Sequence, residues 1–399
     1  MGKRGITMIN FEYYTPTRVV FGKDAEKETG KLVKAQGCRK VLLHYGGQCA
    51  KKSGLLDRIE ASLKEAGIDY ISLGGVVPNP RLSLVYEGIR MCKEAGVDFI
   101  LAVGGGSVID SAKAIGYGVA NEGDVWDIYS RKKEAEACLP VGAVLTIAAA
   151  GSEMSWSSVI TNEDGWIKRG YSNDLGRCRF AVMNPELTYT LPMYQTKCGA
   201  VDILMHTMER YFNTETDFEV TDRIAEGLMV SVIHNTRILM KEPENYNARA
   251  SLMWASSLSH NNLTGCGLSS DWTTHQLEHE VSGMFDVAHG AGLAALWGSW
   301  ARYVYMENPN RFARFAVNVM GIPQDFEHPE KTALEGIEAV ERFFREIQMP
   351  TSIHELGIDL TEEQIETLAY KCSFMETRTI GDFKKLDKGD MIRIYQMAR

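Results

Sequence analysis

The first half of the chain alternates short runs of apolar, often β-branched residues with longer segments whose apolar positions recur near a 3.6-residue period. Short continuous apolar runs are typical of buried strands, and the 3.6-residue period is typical of amphipathic helices. Regular alternation of the two predicts a parallel α/β sheet. The predicted strands are 40–46, 69–75, 98–106, 140–147 and 179–184, and the predicted helices include 55–67 and 81–96.

The pattern changes after about residue 190, where the strand signal stops and helical periodicity continues. Helices are predicted over 192–212, 222–240 and 339–348. No internal repeat or low-complexity segment interrupts either half. We therefore predict two domains, an α/β domain at residues 1–190 and a helical domain at residues 191–399; the motifs and the resemblance described below make the first the dinucleotide-binding domain and the second the metal-binding and catalytic domain.

Composition and charge narrow the class of protein. The chain is 45% hydrophobic and 24% charged, and its net charge of -9 argues against a nucleic-acid surface. None of the eight cysteines forms a C-x-x-C pair, which indicates free thiols in a reducing cytosol. The N-terminal segment has no apolar run typical of a signal peptide, and no apolar stretch is long enough to span a membrane. We therefore expect a cytoplasmic protein without nucleic-acid or membrane partners.

Two glycine turns follow predicted strands. The segment FILAVGGGSVIDSAKAIG (99–116) places three glycines before a predicted helix, where glycine lets the backbone approach a phosphate and helical N–H groups attract an anion. It matches neither G-x-G-x-x-G nor a Walker loop, so a tight turn without ligand is an equally good interpretation. Gly46 and Gly47 follow the first predicted strand. Both turns are expected at the carboxyl ends of strands, where doubly wound sheets bind ligands.

Candidate metal ligands cluster in the second half. Asp202 precedes His206 by four residues, and His275 precedes His279 by four, so each pair is expected on one face of a helix. An isolated pair of this kind is more often a solvated helix face, but Asp202 lies among apolar residues, and a buried carboxylate needs a charged partner. A divalent cation held by Asp202, His206 and two of His275, His279 and His289 would supply it.

Two functions compete for this cluster. HQLEH (275–279) matches H-x-x-E-H, which predicts a zinc metallopeptidase with His275 and His279 as ligands and Glu278 as the base. In a dehydrogenase the metal acts instead as a Lewis acid on a substrate oxygen, and the glycine turns hold a nicotinamide cofactor. A peptidase has no use for a nucleotide-binding domain, so the first half of the chain favours the dehydrogenase.

Several motifs occur in one order along the chain: PNP (78–80), GGGSVIDSAK, TIAAAGSE (146–153), GAVDILMHTMER and HQLEHEVSGMFDVAHG. With them the sequence resembles the iron-containing (group III) alcohol dehydrogenase family, in particular its NADPH-dependent butanol dehydrogenase and aldehyde reductase branch. The resemblance covers nearly the whole chain. It implies an α/β N-terminal Rossmann-like domain followed by an all-α C-terminal domain, the dehydroquinate synthase-like fold, with one Fe²⁺ or Zn²⁺ ion and a homodimeric assembly.

The resemblance also assigns site residues. The family's metal ligands fall on Asp202, His206, His275 and His289, and His279 matches a position near the nicotinamide where it helps to move the alcohol proton. Glu278 departs from the family's pattern and is either an outward-facing helix charge or a contact to a metal ligand. The positions that match cofactor contacts are Gly46, Gly47, Gln48, Gly105, Gly106, Ser107, Asp110, Thr146, Ser155, Lys168 and Leu187, and Lys113 completes the pyrophosphate motif.

Nucleotide choice and substrate follow from the same resemblance. Family members that prefer NAD tend to carry an aspartate after the first strand, whereas this chain has Gly46, Gly47 and Gln48 there, which favours NADP(H). The predicted function is a metal-dependent NADP(H)-linked alcohol dehydrogenase or aldehyde reductase for short- to medium-chain substrates such as butanol and butyraldehyde. The alternatives are a polyol (glycerol-type) dehydrogenase of the same fold and the zinc metallopeptidase.

Overall fold

A computed structural model describes residues 9–47, 49–213 and 218–399, with Cys49 described by its backbone alone. These residues divide into two compact units. The sheet unit contains Tyr14–Pro192 and Pro243–Asn261, and the helical unit contains Met193–Glu242, Asn262–Arg399 and residues 9–13. The predicted division after residue 190 lies next to Pro192, but a linear boundary does not include the return of Pro243–Asn261 to the sheet unit.

The sheet unit is built on parallel strands. Among the described residues, six strands form one sheet in the order β1-β8-β5-β4-β2-β3 with parallel neighbours, and β6 pairs with β7 in an antiparallel hairpin. The five predicted strands are confirmed as β2, β3, β4, β5 and β8, and the other three were not predicted. The strands are β1 (Arg18–Phe21), β2 (Lys40–Tyr45), β3 (Asp69–Leu73), β4 (Phe99–Gly104), β5 (Val141–Leu145), β6 (Ser157–Asn162), β7 (Ile167–Ser172) and β8 (Phe180–Met183).

Both faces of this sheet are buried. Leu42 of β2 and Ile100 of β4 lie in one hydrophobic cluster, whereas the neighbouring Val41, Leu43 and Leu101 lie in the other. Successive side chains of a strand point to opposite faces, so a strand covered on both sides needs apolar residues at every position. This explains why the sequence shows continuous apolar runs instead of alternation.

The helices of the sheet unit cover the sheet, and those of the other unit pack on one another. The predicted helices 55–67, 81–96, 192–212 and 222–240 are confirmed as α3, α4, α7 and α8, and 339–348 is the end of the longer α13. The helices are α1 (Thr29–Lys34), α2 (Cys49–Lys52), α3 (Leu55–Glu65), α4 (Leu82–Ala95), α5 (Gly106–Ala120), α6 (Val125–Tyr129), α7 (Met193–Tyr211), α8 (Glu219–Leu239), α9 (Tyr246–His260), α10 (Thr273–Phe285), α11 (His289–Val304), α12 (Pro309–Asn318), α13 (Pro329–Glu346), α14 (Glu362–Cys372) and α15 (Lys388–Ala398).

Single 3-10 turns connect several of these elements. They are Ala25–Glu28, Asp174–Gly176, Pro185–Thr188, Leu263–Gly265, Tyr305–Glu307 and His354–Leu356. Within the described ranges, every helix is too short or too polar to cross a lipid bilayer.

Candidate metal centre and nucleotide site

Three helices of the helical unit carry the predicted metal ligands. Asp202 and His206 lie one turn apart on α7, His275 lies on α10, and His289 is the first residue of α11. Helix α11 packs against both α7 and α10. A side chain at Gly290 would collide with the backbone of Cys198 on α7, so the glycine after His289 allows the two helices to approach closely.

Three of the predicted ligands converge on a carboxylate oxygen of the fourth. Asp202 Oδ1 lies 3.2 Å from His206 Nδ1, 3.7 Å from His275 Nε2 and 3.8 Å from His289 Nε2. Asp202, His206 and His275 are buried, and His289 is partly exposed. The structure therefore brings together, from three separate segments, the set of residues that the resemblance assigned.

Two atoms at the centre of this cluster point to a cation. Asp202 Oδ1 and His275 Nε2 are buried, and within the described residues neither has a hydrogen-bond partner. Leaving a buried polar atom unsatisfied costs about 1–3 kcal/mol, and more for a charged group. A carboxylate oxygen with imidazole nitrogens is a donor set that suits Fe²⁺ and Zn²⁺. The residues therefore fit a divalent cation.

Two buried glutamates hold the outer nitrogens of the histidine rings. His275 donates to Glu209 Oε1 from its backbone N–H at 2.9 Å and from Nδ1 at 3.0 Å. His289 Nδ1 donates to Glu278 Oε2. A carboxylate on Nδ1 fixes the tautomer of a ring and leaves Nε2 as the ligand atom. The alternative that Glu278 is an outward-facing charge is wrong, because its side chain is fully buried against His289.

Glu209 was not predicted from the sequence. It follows Asp202 by seven residues and His206 by three, so all three residues lie on one face of α7. This spacing was the available signal. Trp272 was missed as well, and its ring packs edge-on against the rings of His206 and His275, with centroids 5.9 and 5.2 Å away.

The charges around His275 favour a positive ring. Burial lowers the pKa of His275, but its hydrogen bond to Glu209, the Asp202 oxygen 3.7 Å from its Nε2 and the charges of these two carboxylates outweigh burial and raise the pKa to about 9. The same carboxylates that stabilise a protonated ring stabilise a cation. The electrostatics of the pocket are therefore those expected of a cation site.

His279 lies beside the cluster. Its ring centroid is 6.5 Å from that of His275 and 5.7 Å from that of His289. Among the described residues, the potential ligand groups are Asp202 with His275 and His289, and Glu278 with His279 and His289. His275 and His279 thus fall into different groups. The ligand pair that a metallopeptidase requires is not formed, and Glu278, its expected base, is bound to a histidine.

The predicted nucleotide contacts gather in the sheet unit at the carboxyl ends of adjacent parallel strands. Gly46 and Gly47 follow β2, Gly105, Gly106 and Ser107 follow β4, Thr146 follows β5, and Leu187 lies in the 3-10 turn after β8. Gln48 lies outside the described residues. In open parallel sheets this edge is where ligands bind.

Packing explains part of the glycine turn. A side chain at Gly105 would collide with Ile147, and a Cβ at Gly106 would lie 2.9 Å from the Cβ of Ala150. The tight-turn interpretation therefore has a structural basis. The same absence of side chains leaves the backbone at the start of α5 open to a phosphate, so the two interpretations are compatible.

Asp110 and Lys113 of α5 are engaged within the protein. Asp110 accepts hydrogen bonds from Ser152 Oγ and from the Val159 N–H, and Lys113 Nζ donates to three carbonyl oxygens of residues 152–157 at 2.7–2.9 Å. Burial raises the pKa of Asp110 and lowers that of Lys113. These contacts make Asp110 a residue that positions the 152–159 segment, and its contact with the cofactor stays a prediction.

Ser155 and Lys168 are buried and hydrogen-bonded. Ser155 Oγ accepts from the Ser157 N–H at 2.9 Å, and Lys168 Nζ on β7 donates to Asn79 Oδ1 at 3.0 Å. Asn79, the centre of the PNP motif, has a positive φ of 54°. The contact links that motif to the β6–β7 hairpin.

Comparison with known proteins identifies the family to which the chain belongs. Residues 16–185 match the family described as iron-containing alcohol dehydrogenase, and residues 196–399 match the C-terminal domain of the Fe-containing alcohol dehydrogenase family. The chain is 39% identical over 391 residues to the probable NADH-dependent butanol dehydrogenase 1 of Bacillus subtilis, covering 98% of this chain and 100% of the relative. It is 34% identical over 400 residues to the NADPH-dependent aldehyde reductase YqhD of Escherichia coli, with the same coverage of both.

A solved structure extends the similarity to three dimensions. The crystal structure of NADH-dependent butanol dehydrogenase A from Thermotoga maritima has a TM-score of 0.94 at 37% identity and covers 98% of this chain and 99% of its own. Sequence and structure thus agree over both the sheet unit and the helical unit. The chain belongs to the iron-containing alcohol dehydrogenase family.

Proposed function

We propose that the protein is a metal-dependent, NADP(H)-linked alcohol dehydrogenase that reduces short- to medium-chain aldehydes such as butyraldehyde and oxidises the corresponding alcohols. The observation that carries this proposal is the convergence of His206, His275 and His289 on Asp202 Oδ1. Relatives named butanol dehydrogenase and aldehyde reductase support the substrate class. We also propose a homodimer in the cytoplasm, on the basis of the family resemblance and the cysteine pattern.

The helical unit supplies the cation site. Asp202, His206, His275 and His289 would hold the ion, and Glu209 and Glu278 orient two of the rings. A divalent cation in this site, Fe²⁺ or Zn²⁺, would supply Lewis acidity toward the substrate oxygen. The glycine turns after β2 and β4 would bind the phosphates of a nicotinamide cofactor, which would supply the hydride.

We assign proton transfer to His279. Its ring lies one helical turn after His275 and next to His289, and it is only partly buried, so a substrate can reach it. Imidazole exchanges protons near neutral pH, which suits a general acid and base. A ring nitrogen of His279 would donate the proton to the carbonyl oxygen during reduction and accept it during alcohol oxidation.

The preference for NADP(H) rests on the turn after β2. Gly46 and Gly47 place no carboxylate there, and a Cβ at the exposed Gly47 would have no atom within 4 Å in the part of the chain that the structure describes, its chain neighbours aside. A 2′-phosphate therefore meets neither a negative charge nor a side chain at these two positions. Relatives differ in this respect, since the Bacillus subtilis protein is named NADH-dependent and the Escherichia coli protein NADPH-dependent.

Introducing an aspartate at Gly47 tests this preference. The Gly47→Asp variant is expected to lower kcat/KM for NADPH by about tenfold or more, because a carboxylate repels the 2′-phosphate at short range. The value for NADH should fall less or rise, since an acidic residue can bind the ribose hydroxyl. Steady-state rates with butyraldehyde and each nucleotide give the ratio of kcat/KM for NADPH to kcat/KM for NADH. Gly47→Asn is the uncharged control, and an equal loss in both variants would argue against a charge effect.

A substrate panel tests the function itself. The full-length protein, reconstituted separately with Fe²⁺ and Zn²⁺, is assayed with aldehydes from acetaldehyde to benzaldehyde, with glycerol and 1,3-propanediol, and with both nucleotides. We expect the highest kcat/KM for aliphatic aldehydes near butyraldehyde, and activity only with metal. The diols belong in the panel because the 1,3-propanediol dehydrogenase of Citrobacter freundii is 30% identical over 349 residues. A higher kcat/KM for a polyol would replace our proposal with the polyol dehydrogenase.

A further inference from the structure

The buried position of Glu278 calls for an explanation. It lies on α10, its side chain is fully buried, and its Oε2 accepts a hydrogen bond from Nδ1 of His289, the first residue of α11. Burying a carboxylate is costly unless it gains a charged or hydrogen-bonding partner. Glu278 is therefore held in place by a residue that belongs to the cluster around Asp202.

Helix α11 leaves space for this carboxylate at Gly292. Gly292 lies three residues after His289, on the same face of the helix. A Cβ there would lie 2.8 Å from both Cγ and Oε1 of Glu278. Contacts this short do not occur in packed interiors, so any larger residue at position 292 would displace the glutamate. The position of Glu278 thus depends on the absence of a side chain on the facing helix.

The contact determines which ring nitrogen of His289 faces the cluster. With Nδ1–H bound to Glu278, the lone pair is on Nε2, which lies 3.8 Å from Asp202 Oδ1. A carboxylate partner on the outer nitrogen also makes the ring a more basic ligand. Glu209 has the same relation to His275, whose Nδ1 donates to it at 3.0 Å. Two ligand candidates on two helices therefore share one arrangement.

We propose that Glu278 is a positioning residue that orients His289 toward the cation and strengthens cation binding, and that Gly292 is required for its placement. The inference rests on the proposed function, since it presupposes a cation at Asp202. Glu278 does not itself bind the ion, so the site takes one cation per chain.

Cobalt titration of the full-length, metal-stripped protein tests this inference without using activity. Co²⁺ binding is followed by its visible absorption, which reports ligand number and geometry. The wild type is expected to bind one Co²⁺ per chain. Glu278→Gln should raise Kd by about 10- to 100-fold and shift the absorption bands, as loss of such a partner does in other metal sites. Gly292→Ala should raise Kd as well, although it removes no charge.

Matched controls separate this effect from general damage. Glu280→Gln removes another buried carboxylate of α10, and Gly227→Ala adds a methyl group to a helical glycine of α8 that has open space around it. Both should leave Kd within about twofold of the wild type and the absorption bands unchanged, since the hydrogen bond from His289 Nδ1 goes to Glu278 and is kept in both variants. Circular dichroism shows whether each variant is folded. If Gly292→Ala does not fold, the Kd and spectrum of Glu278→Gln alone test the role of Glu278.

The outcomes are distinguishable. A wild type that binds no Co²⁺ contradicts the proposed function. A wild type that binds one ion, together with a Glu278→Gln variant of unchanged Kd and spectrum, overturns the inference alone. Two ions per wild-type chain and one per Glu278→Gln chain would also overturn it, because Glu278 would then be a direct ligand together with His279.

Discussion

Replacing Asp202 with asparagine is expected to abolish both cation binding and aldehyde reduction. Three histidine nitrogens lie within 3.8 Å of Asp202 Oδ1, so this oxygen is shared by the whole cluster. Asparagine keeps the shape but removes the charge that offsets the cation. Lewis acid catalysis supplies several kcal/mol, and each 1.36 kcal/mol is tenfold in rate, so kcat/KM should fall by about 1,000-fold or more.

Elemental analysis and initial rates measure the two effects on the same sample. The control is Asp325→Asn, a partly exposed carboxylate of the same unit, which should keep full metal content and rate. Circular dichroism of both variants excludes unfolding as the cause of any loss. An Asp202→Asn protein with wild-type metal content and wild-type activity would refute the assignment of the site.

The second large effect is expected at His279. His279→Gln should lower kcat by about 100- to 10,000-fold, the range that a positioned acid or base contributes, and leave the metal content unchanged. The separation of the two readouts follows from the geometry, because the histidine nitrogens that lie within 3.8 Å of Asp202 Oδ1 among the described residues belong to His206, His275 and His289. Steady-state rates over a range of pH values give kcat, and metal analysis of each preparation gives the metal content.

His234→Gln is the matched control for this variant, since it replaces an exposed histidine on α8. Its rates and metal content should equal those of the wild type. Loss of the cation from His279→Gln would show that His279 is a ligand, as the metallopeptidase interpretation requires. A full rate with full metal content would assign the proton transfer to another group.

Four of the five strands predicted from the sequence, β2, β4, β5 and β8, are buried along most or all of their length, whereas β3 is a partly exposed edge strand. β2, β4 and β5 are continuous apolar runs because helices cover both sides of the sheet. β1 was missed since it has four residues with exposed ends at the edge of the sheet. β7 (IKRGYS) carries polar residues on a two-stranded hairpin. Helix α9 has ordinary helical periodicity, and its return to the sheet unit depends on long-range contacts that no local pattern records.

The candidate site could likewise be predicted only in part from the sequence, because some of its contacts depend on how the helices pack. The spacing of Asp202 and His206 and the resemblance were sufficient to select four residues that the structure brings together. The contact between Glu278 and His289 was not predictable, because it depends on how α10 and α11 pack. The contacts of Asp110 were not predictable either, since its hydrogen bonds reach Ser152 and Val159, more than forty residues along the chain.

The protease-like motif HQLEH has a different meaning in this context. Its first histidine joins Asp202, its glutamate binds His289, and its second histidine remains beside the site. The five-residue pattern therefore predicts metal binding, which agrees with the proposed cation site, and a peptidase reaction, which does not agree with the family of the chain. The surrounding helices decide which atoms of the motif can meet.

Metal reconstitution of the full-length protein tests the central claim most directly. Metal-stripped protein is titrated with Fe²⁺ under anaerobic conditions, and bound iron and butyraldehyde-dependent oxidation of NADPH are measured at each step. We predict that the rate rises in proportion to bound iron and reaches its plateau at one ion per chain. A full rate in protein shown by elemental analysis to contain no metal would contradict the account.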